Sequence, residues 1–470
     1  MQQKLQRRLS PLNVWSLALG SIIGWGAFVM PGNTFLPKAG PVGTAIAMGI
    51  AALIMISIAF NYNYMINKFP VAGGEFTYTE KSFGKVTGYV CAWFLGLSYL
   101  AIVPLNATAL ALIGRNLFPA VFQWGYLYSV EGYAIYAGEV LLAVLALVLF
   151  AVLSIRGISV AGKFQTVLAL SLVGSVALLG VAAIISGEAS FANLAPAFQT
   201  TAQGQINFGG IVAVIAVAPW AFVGFDSIPQ ASEEFNFSPK KTKIIMILSI
   251  IFGGFLYVVL NTITAAVTPD GYSGWSEYIS DMGNLNGIAA LPTFNAAKQL
   301  LGVPGLVILA VALFCAVLSG IIGFYMATSR LLYSVAREGI LPAPFAALHK
   351  KHNTPYIAIL FVMGISLIAP FFGREVLGWV VDMSSIGAAI GYGFTSAATF
   401  VTLCKNKEKN LLLKINAVVG TLFSLAFVFL LLSPSAWGYG GLSTPARIAL
   451  GVWCLLGIVF YILARSKKKI

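Results

Sequence analysis

The sequence predicts an all-α integral membrane protein of about twelve spans, built as two halves inserted in opposite senses. Three observations carry that reading. Hydrophobic residues make up 59% of the 470-residue chain and charged residues 9%, too little polar surface to keep such a chain in water. Apolar stretches long enough to cross about 30 Å of hydrocarbon recur from end to end, with no soluble domain among them. Two of them are interrupted at glycine, one at Gly20-Ser21-Ile22-Ile23-Gly24-Trp25-Gly26-Ala27-Phe28 and one at Pro219-Trp220-Ala221-Phe222-Val223-Gly224-Phe225-Asp226-Ser227-Ile228-Pro229. Five spans separate the starts of the two, so the second enters the bilayer opposite to the first. Broken helices at corresponding positions of inverted halves point to the binding site of a secondary transporter.

The spans are placed at 13–37, 43–67, 84–113, 134–155, 164–186, 207–235, 242–267, 303–335, 355–372, 376–403, 413–432 and 445–464. Residues 1–470 form one membrane transport domain, with 13–186 as the first inverted repeat, 207–403 as the second and 413–464 as two additional helices. The basic segment Met1 to Ser10 runs into a full-length span without a small-residue cleavage site, so it is not a removed signal peptide. Of the 28 Lys and Arg residues, all but Lys38, Arg115, Lys298, Arg374 and Arg447 fall on the side of the N-terminus. Both termini are therefore expected in the cytoplasm, and the protein in the inner (plasma) membrane.

The net charge of +13 follows from that asymmetry. Basic residues are spread over every inner loop rather than gathered with aromatics into one patch, which excludes nucleic acid and favours anionic lipid. Cys91, Cys315, Cys404 and Cys454 lack Cys-x-x-Cys spacing and read as apolar filler, with no disulfide and no metal. His349 and His352 stand among lysines and read as a solvated basic loop rather than a metal pair. The long outer segment from Pro269 to Gly302 reads either as a lid over an outer vestibule or as a passive crossover.

In hydrocarbon an unpaired peptide group costs several kcal/mol, so an unwound stretch survives only facing protein, water or ligand. Past Gly24-Trp25-Gly26 the free N–H groups lie at the positive end of a helix dipole and suit a carboxylate. Near Trp220 to Val223 the free carbonyls lie at a negative end and suit an ammonium. Together they suit an amino acid. The competing reading is that these glycines only permit close helix packing. Asp226 is an acid within a span and a functional candidate for gating or proton linkage. It also fits as the N-cap of the inner half-helix ahead of Pro229. Trp25, Trp220 and Phe324 are aromatics beside the expected site. Trp25 lies within the break itself, where its indole would shrink the cavity or stack on a substrate.

At this point the residues resemble the amino acid, polyamine and organocation (APC) transporter superfamily. The resemblance rests on Gly24-Trp25-Gly26-Ala27-Phe28-Val29-Met30-Pro31-Gly32, on Phe69-Pro70-Val71-Ala72-Gly73-Gly74-Glu75-Phe76-Thr77-Tyr78, and on Phe222-Val223-Gly224-Phe225-Asp226 running to Glu233-Glu234 and Pro239-Lys240. It is extended by Arg330 to Pro342 and by Asp382-Met383-Ser384-Ser385-Ile386-Gly387. It implies the five-plus-five inverted repeat typified by the leucine transporter, with the first and sixth helices broken and alternating access around a central site. By the same resemblance Ile22, Ile23, Gly24, Trp25 and Gly26 hold the carboxylate end, while Trp220, Ala221, Phe222, Val223 and Gly224 hold the amino end. Phe324 matches an aromatic that closes the site from the eighth helix. The chain departs from the pattern in two places. Many relatives have a small residue where Trp25 stands, and the lysine that some proton-coupled relatives carry in the fifth helix is missing from Phe164 to Ile185. Ser319 is a candidate sodium-site residue.

The expected function is secondary active transport of a small, neutral amino acid by proton symport or exchange, in a monomer or homodimer. The alternatives are an amine or polyamine exchanger and a receptor that binds an amino acid without moving it. The spans carry no histidine and no nucleophile–base pair, so neither an enzyme nor a cofactor is expected.

Overall fold

The computed structural model describes the chain except for residues 1–4, 6, 131–132, 286, 374, 435–436, 439–440 and 468–470. Lys4, Arg374, Lys468 and Lys469, used above for orientation, lie outside the described residues. Among the described residues, 9 helices are long and apolar enough to cross a membrane. The difference from about twelve has a local cause. The first two expected spans run on as one helical stretch, Pro11–Lys68, the sixth is cut into short pieces, and the ninth is the shorter Tyr356–Phe372.

Helix α1 (Pro11–Ile23) starts from a capping box: Ser10 Oγ accepts from the Asn13 N–H and Asn13 Oδ1 from the Ser10 N–H, both at 3.2 Å. It stops at Gly24, whose φ of +40° no helix continues. Helix α2 (Gly26–Met30) resumes, widens into a π-turn at Pro31–Phe35 and runs into α3 (Leu36–Lys68), which is broken at Gly40 ahead of Pro41. Helices α4 (Glu75–Phe83) and α5 (Lys85–Leu117) follow, then α6 (Pro119–Phe122) and a hairpin of β1 (Tyr126–Val130) and β2 (Tyr133–Tyr136). That hairpin corrects the fourth expected span: 134–136 are strand, and α7 (Ala137–Arg156) begins only where Glu139 Oε1 accepts the Tyr136 N–H at 2.9 Å.

Helix α8 (Ile158–Ile185) leads to the interrupted sixth span, made of α9 (Phe208–Ala216), α10 (Ala218–Ala221), an irregular turn at 222–226, and α11 (Ser227–Gln230). Helix α12 (Thr242–Ala266) returns to the far side. There the long segment 269–302 folds into α13 (Trp275–Asp281) and α14 (Pro292–Leu301). The remaining helices are α15 (Val303–Arg337), α16 (Tyr356–Ser366), α17 (Glu375–Lys405), α18 (Leu411–Leu432) and α19 (Thr444–Lys467).

Helix α1 packs against α8, α12 and α15, α10 against α17, and α11 against α1 and α15, so both interruptions sit inside the bundle. Apolar residues such as Leu425, Phe429, Leu455 and Ile462 are exposed on α18 and α19, as a lipid-facing surface requires. On the face carrying the N-terminus, the Arg8 and Leu9 N–H groups both donate to the Glu234 carbonyl at 2.9 Å. His349, in the basic loop of that face, accepts from the Lys351 and His352 N–H groups at Nδ1 and so closes a turn.

Candidate functional site

The two interruptions touch. Gly224 has φ +140°, and a Cβ there would stand 2.7 Å from the Ile22 nitrogen and 2.8 Å from the Ala18 carbonyl oxygen. A Cβ on Gly26 would drive into the Trp220 ring. Each break is thus shaped to the other: at Gly224 both the backbone and the space require glycine, and at Gly26 the space alone does. Gly224→Ala should therefore abolish uptake while the protein still reaches the membrane. Surface labelling together with radiolabelled uptake checks this, and wild-type uptake would refute it.

Between the breaks lies a pocket of about 10 Å³, room for a single water, bounded by Ser21, Ile22, Ile23, Gly24, Trp25, Trp220 and Val223 together with Asn106 of α5 and Tyr257 of α12. Above it opens a cavity of about 500 Å³, walled by Phe28, Lys38, Pro292, Trp379 and Asp382. Trp25 lines both, and its ring stands 6.1 Å from that of Trp220, tilted by 58°. The indole is the partition. Ser21 Oγ, Trp25 Nε1 and Asn106 Oδ1 are buried in this partition zone with no hydrogen-bond partner among the described residues. A polar solute between the breaks would satisfy them.

Below the breaks Asp226 turns its carboxylate back into the turn. Oδ1 accepts from the Gly224 N–H at 2.7 Å and Oδ2 from the Tyr99 hydroxyl at 3.0 Å. Asp226 stands at the N-cap position of α11, as expected, but its carboxylate makes no capping hydrogen bond there. The Tyr99 hydroxyl also lies 3.2 Å from Oε1 of Glu75, which accepts from Tyr62 at 3.0 Å, while Gln230 donates to Oε2 at 2.7 Å. Glu75 and Asp226 are both 0% exposed. Burial first, and then the Asp226 charge, push the Glu75 carboxyl well above the usual carboxylate range.

With this arrangement in view, sequence comparison is decisive: the family described as "Amino acid permease" matches residues 9–460. The chain belongs to that family, within the APC superfamily. The permease is 24% identical to the branched-chain amino acid permease BcaP of Bacillus subtilis, over 99% of this chain and 94% of that protein. It is 27% identical to the human large neutral amino acids transporter small subunit 2, over 98% of this chain and 80% of that protein. It is also 23% identical to the methylthioribose transporter of B. subtilis, over 100% of this chain and 95% of that protein.

The structure brings together most residues of the permease that its sequence singles out. Ile22, Ile23, Gly24, Trp25, Trp220 and Val223 line the small pocket, and Gly26 and Gly224 fix the contact between its walls. Ala221 and Phe222 are buried behind it, the Phe222 ring directed at α12 near Gly254. Phe324 lines neither cavity. It is fully buried, with its ring 5.7 Å from that of Tyr99, and supports the residue that holds Asp226. The oxygens of Ser319 are occupied by a neutral group: Gln165 Nε2 donates to the Ser319 hydroxyl, to the Ser319 carbonyl at 3.2 Å and to the Ser16 carbonyl at 3.4 Å.

Sequence reasoning passed over Asn106, Tyr257, Tyr99, Tyr62, Tyr392, Gln230 and the burial of Glu75. Asn106 was visible as a polar residue within an apolar span, and a Cβ on Gly24 would lie 3.7 Å from its Oδ1. The tyrosines gave no signal. Each spends its hydroxyl on a distant partner, as Tyr257 does on the Ile22 carbonyl at 3.2 Å and Tyr392 on the Pro219 carbonyl at 3.2 Å.

Proposed function

We propose that this permease moves a small, neutral amino acid by alternating access, through a twelve-span, five-plus-five inverted-repeat fold with both termini in the cytoplasm. The observation that carries the reading is the contact of the two breaks around the buried Ser21 Oγ, Trp25 Nε1 and Asn106 Oδ1, which have no hydrogen-bond partner among the described residues. The substrate carboxylate sits on the N–H groups at Gly24 to Gly26, at the positive end of a helix dipole. The ammonium sits toward the carbonyls at Ala221 to Val223. Two of the relatives bear names that specify branched-chain and large neutral amino acids, which supports a neutral substrate. Trp25 limits its size.

A neutral amide at Ser319 supports transport without sodium. Replacing Na⁺ by choline should leave uptake unchanged, and a requirement for Na⁺ would reopen Ser319 as a cation ligand. Counterflow in proteoliposomes with alanine, leucine, arginine and putrescine tests the substrate class. Exchange of alanine and leucine is expected. Exchange of putrescine alone would reject the zwitterion site in favour of amine exchange.

A further inference from the structure

The Tyr99 hydroxyl has one hydrogen and three acceptors, the Asp226 carbonyl and Oδ2 at 3.0 Å and Glu75 Oε1 at 3.2 Å. With both carboxyls ionised, one carboxylate oxygen faces the phenol oxygen with no hydrogen between them, in a region sealed from water. One added proton resolves this. A carboxyl O–H donates to the Tyr99 oxygen, and the Tyr99 hydrogen goes to the other carboxylate. Gln230, which is 0% exposed, donates its amide N–H to Oε2 of Glu75, so that oxygen is already supplied with a hydrogen and the Glu75 oxygen left facing Tyr99 is Oε1.

The groups facing the pair supply no compensating cation. They are Tyr62 from α3, Tyr78 from α4, Cys91 and Tyr99 from α5, and Tyr392 from α17. Among the described residues neither acid makes an ion pair, and Arg330, the buried cation of this face, is committed to Glu234.

We propose that Glu75 and Asp226 form one buried proton-binding site, two carboxyl groups sharing a single proton through the Tyr99 hydroxyl. Loss of that proton loosens the docking of α4 beneath the sixth-span break. The inference rests on the transport reading and deepens it by naming the coupling ion and where it binds. With the proton gone, two like charges repel in a dry setting. The strain falls on the break, because the Tyr99 hydroxyl stands 3.0 Å from both the Asp226 carboxylate and its carbonyl within the turn, and Tyr392 donates to the Pro219 carbonyl.

Two measurements on the full-length protein test it. In proteoliposomes, leucine uptake by the wild type should be faster under an imposed inward proton gradient than at equal pH. In Glu75→Gln that ratio should fall to unity. A wild-type ratio of unity, or a Glu75→Gln variant that keeps the wild-type ratio, would overturn the shared proton while leaving transport itself standing. The second measurement needs no flux. The infrared difference spectrum of wild type minus the Glu75→Gln/Asp226→Asn double variant should contain a protonated-carboxyl stretch that disappears on alkalinisation and shifts in Tyr99→Phe. A difference spectrum without that stretch would overturn the proposal even if a variant fails to transport.

Discussion

Replacing Arg330 by alanine should cost the permease about 3–5 kcal/mol of stability and its transport with it, the expected result of leaving one member of a buried ion pair alone. Arg330 and Glu234 are each 2% exposed, joined Nε to Oε1 at 2.8 Å and Nη2 to Oε2 at 3.4 Å. The pair ties the last turns of α15 to the exit of the sixth span. The Glu234 carbonyl meanwhile holds the backbone of Arg8 and Leu9, and Ser334 Oγ holds the Ala72 carbonyl at 2.9 Å. Four stretches of chain are thus pinned together on the N-terminal face. Such a pair contributes little net stability against a well-packed apolar substitute, so the double variant Arg330→Met/Glu234→Leu should recover most of the lost melting temperature in detergent. It should not recover transport, because an apolar plug cannot separate into two hydrated ions each time that face opens. A single variant that melts and transports like wild type would show that the pair neither bears load nor gates.

Why some of this was legible in the sequence and some was not follows from range. The spans are local signals, readable from apolar length. The interruption at Gly24-Trp25-Gly26 was readable because glycine beside a bulky aromatic within an apolar run has few other uses. The hairpin at 126–136 was missed because Tyr-Ala-Ile-Tyr is as apolar as the helix it precedes. Its register is set by pairing with Tyr126 to Val130, while Arg115 packs on the rings of Tyr133 and Tyr136. Asp226 was legible as a costly acid within a span, but its partner was not. Glu75 sits between spans in a polar-looking Gly-Gly-Glu segment, and only the packing of α4 on α5, α15 and α17, with Gln230 of α11 set against it, makes it a buried acid. The same holds for Gln165. As one polar residue near the start of a helix it said nothing, until the packing of α8 on α1 and α15 set its amide among the oxygens of Ser16 and Ser319.

Trp25→Ala should convert the partition between the two cavities into a passage, and the selectivity of the permease should change more than its rate. In the structure the indole floors the cavity of about 500 Å³ and roofs the pocket of about 10 Å³. While it stays there the space between the breaks holds no more than a single water, so a solute enters only as the indole moves aside, and a bulkier side chain needs it to move further. Removing it should raise leucine or phenylalanine uptake relative to alanine by about tenfold or more, the scale on which apolar pockets discriminate side-chain size. The stability cost should fall below the roughly 3–5 kcal/mol of a fully packed core Trp→Ala change, because one face of the ring already borders open space and its Nε1 forfeits no hydrogen bond. The ratio of leucine to alanine uptake in proteoliposomes, measured beside the melting temperature, separates the two effects. Equal loss of both substrates with a large fall in melting temperature would make Trp25 a packing residue. An altered ratio at nearly unchanged stability makes it the residue that sets which amino acids the breaks can clasp, since only a group projecting into the solute's path changes selectivity without loosening the fold.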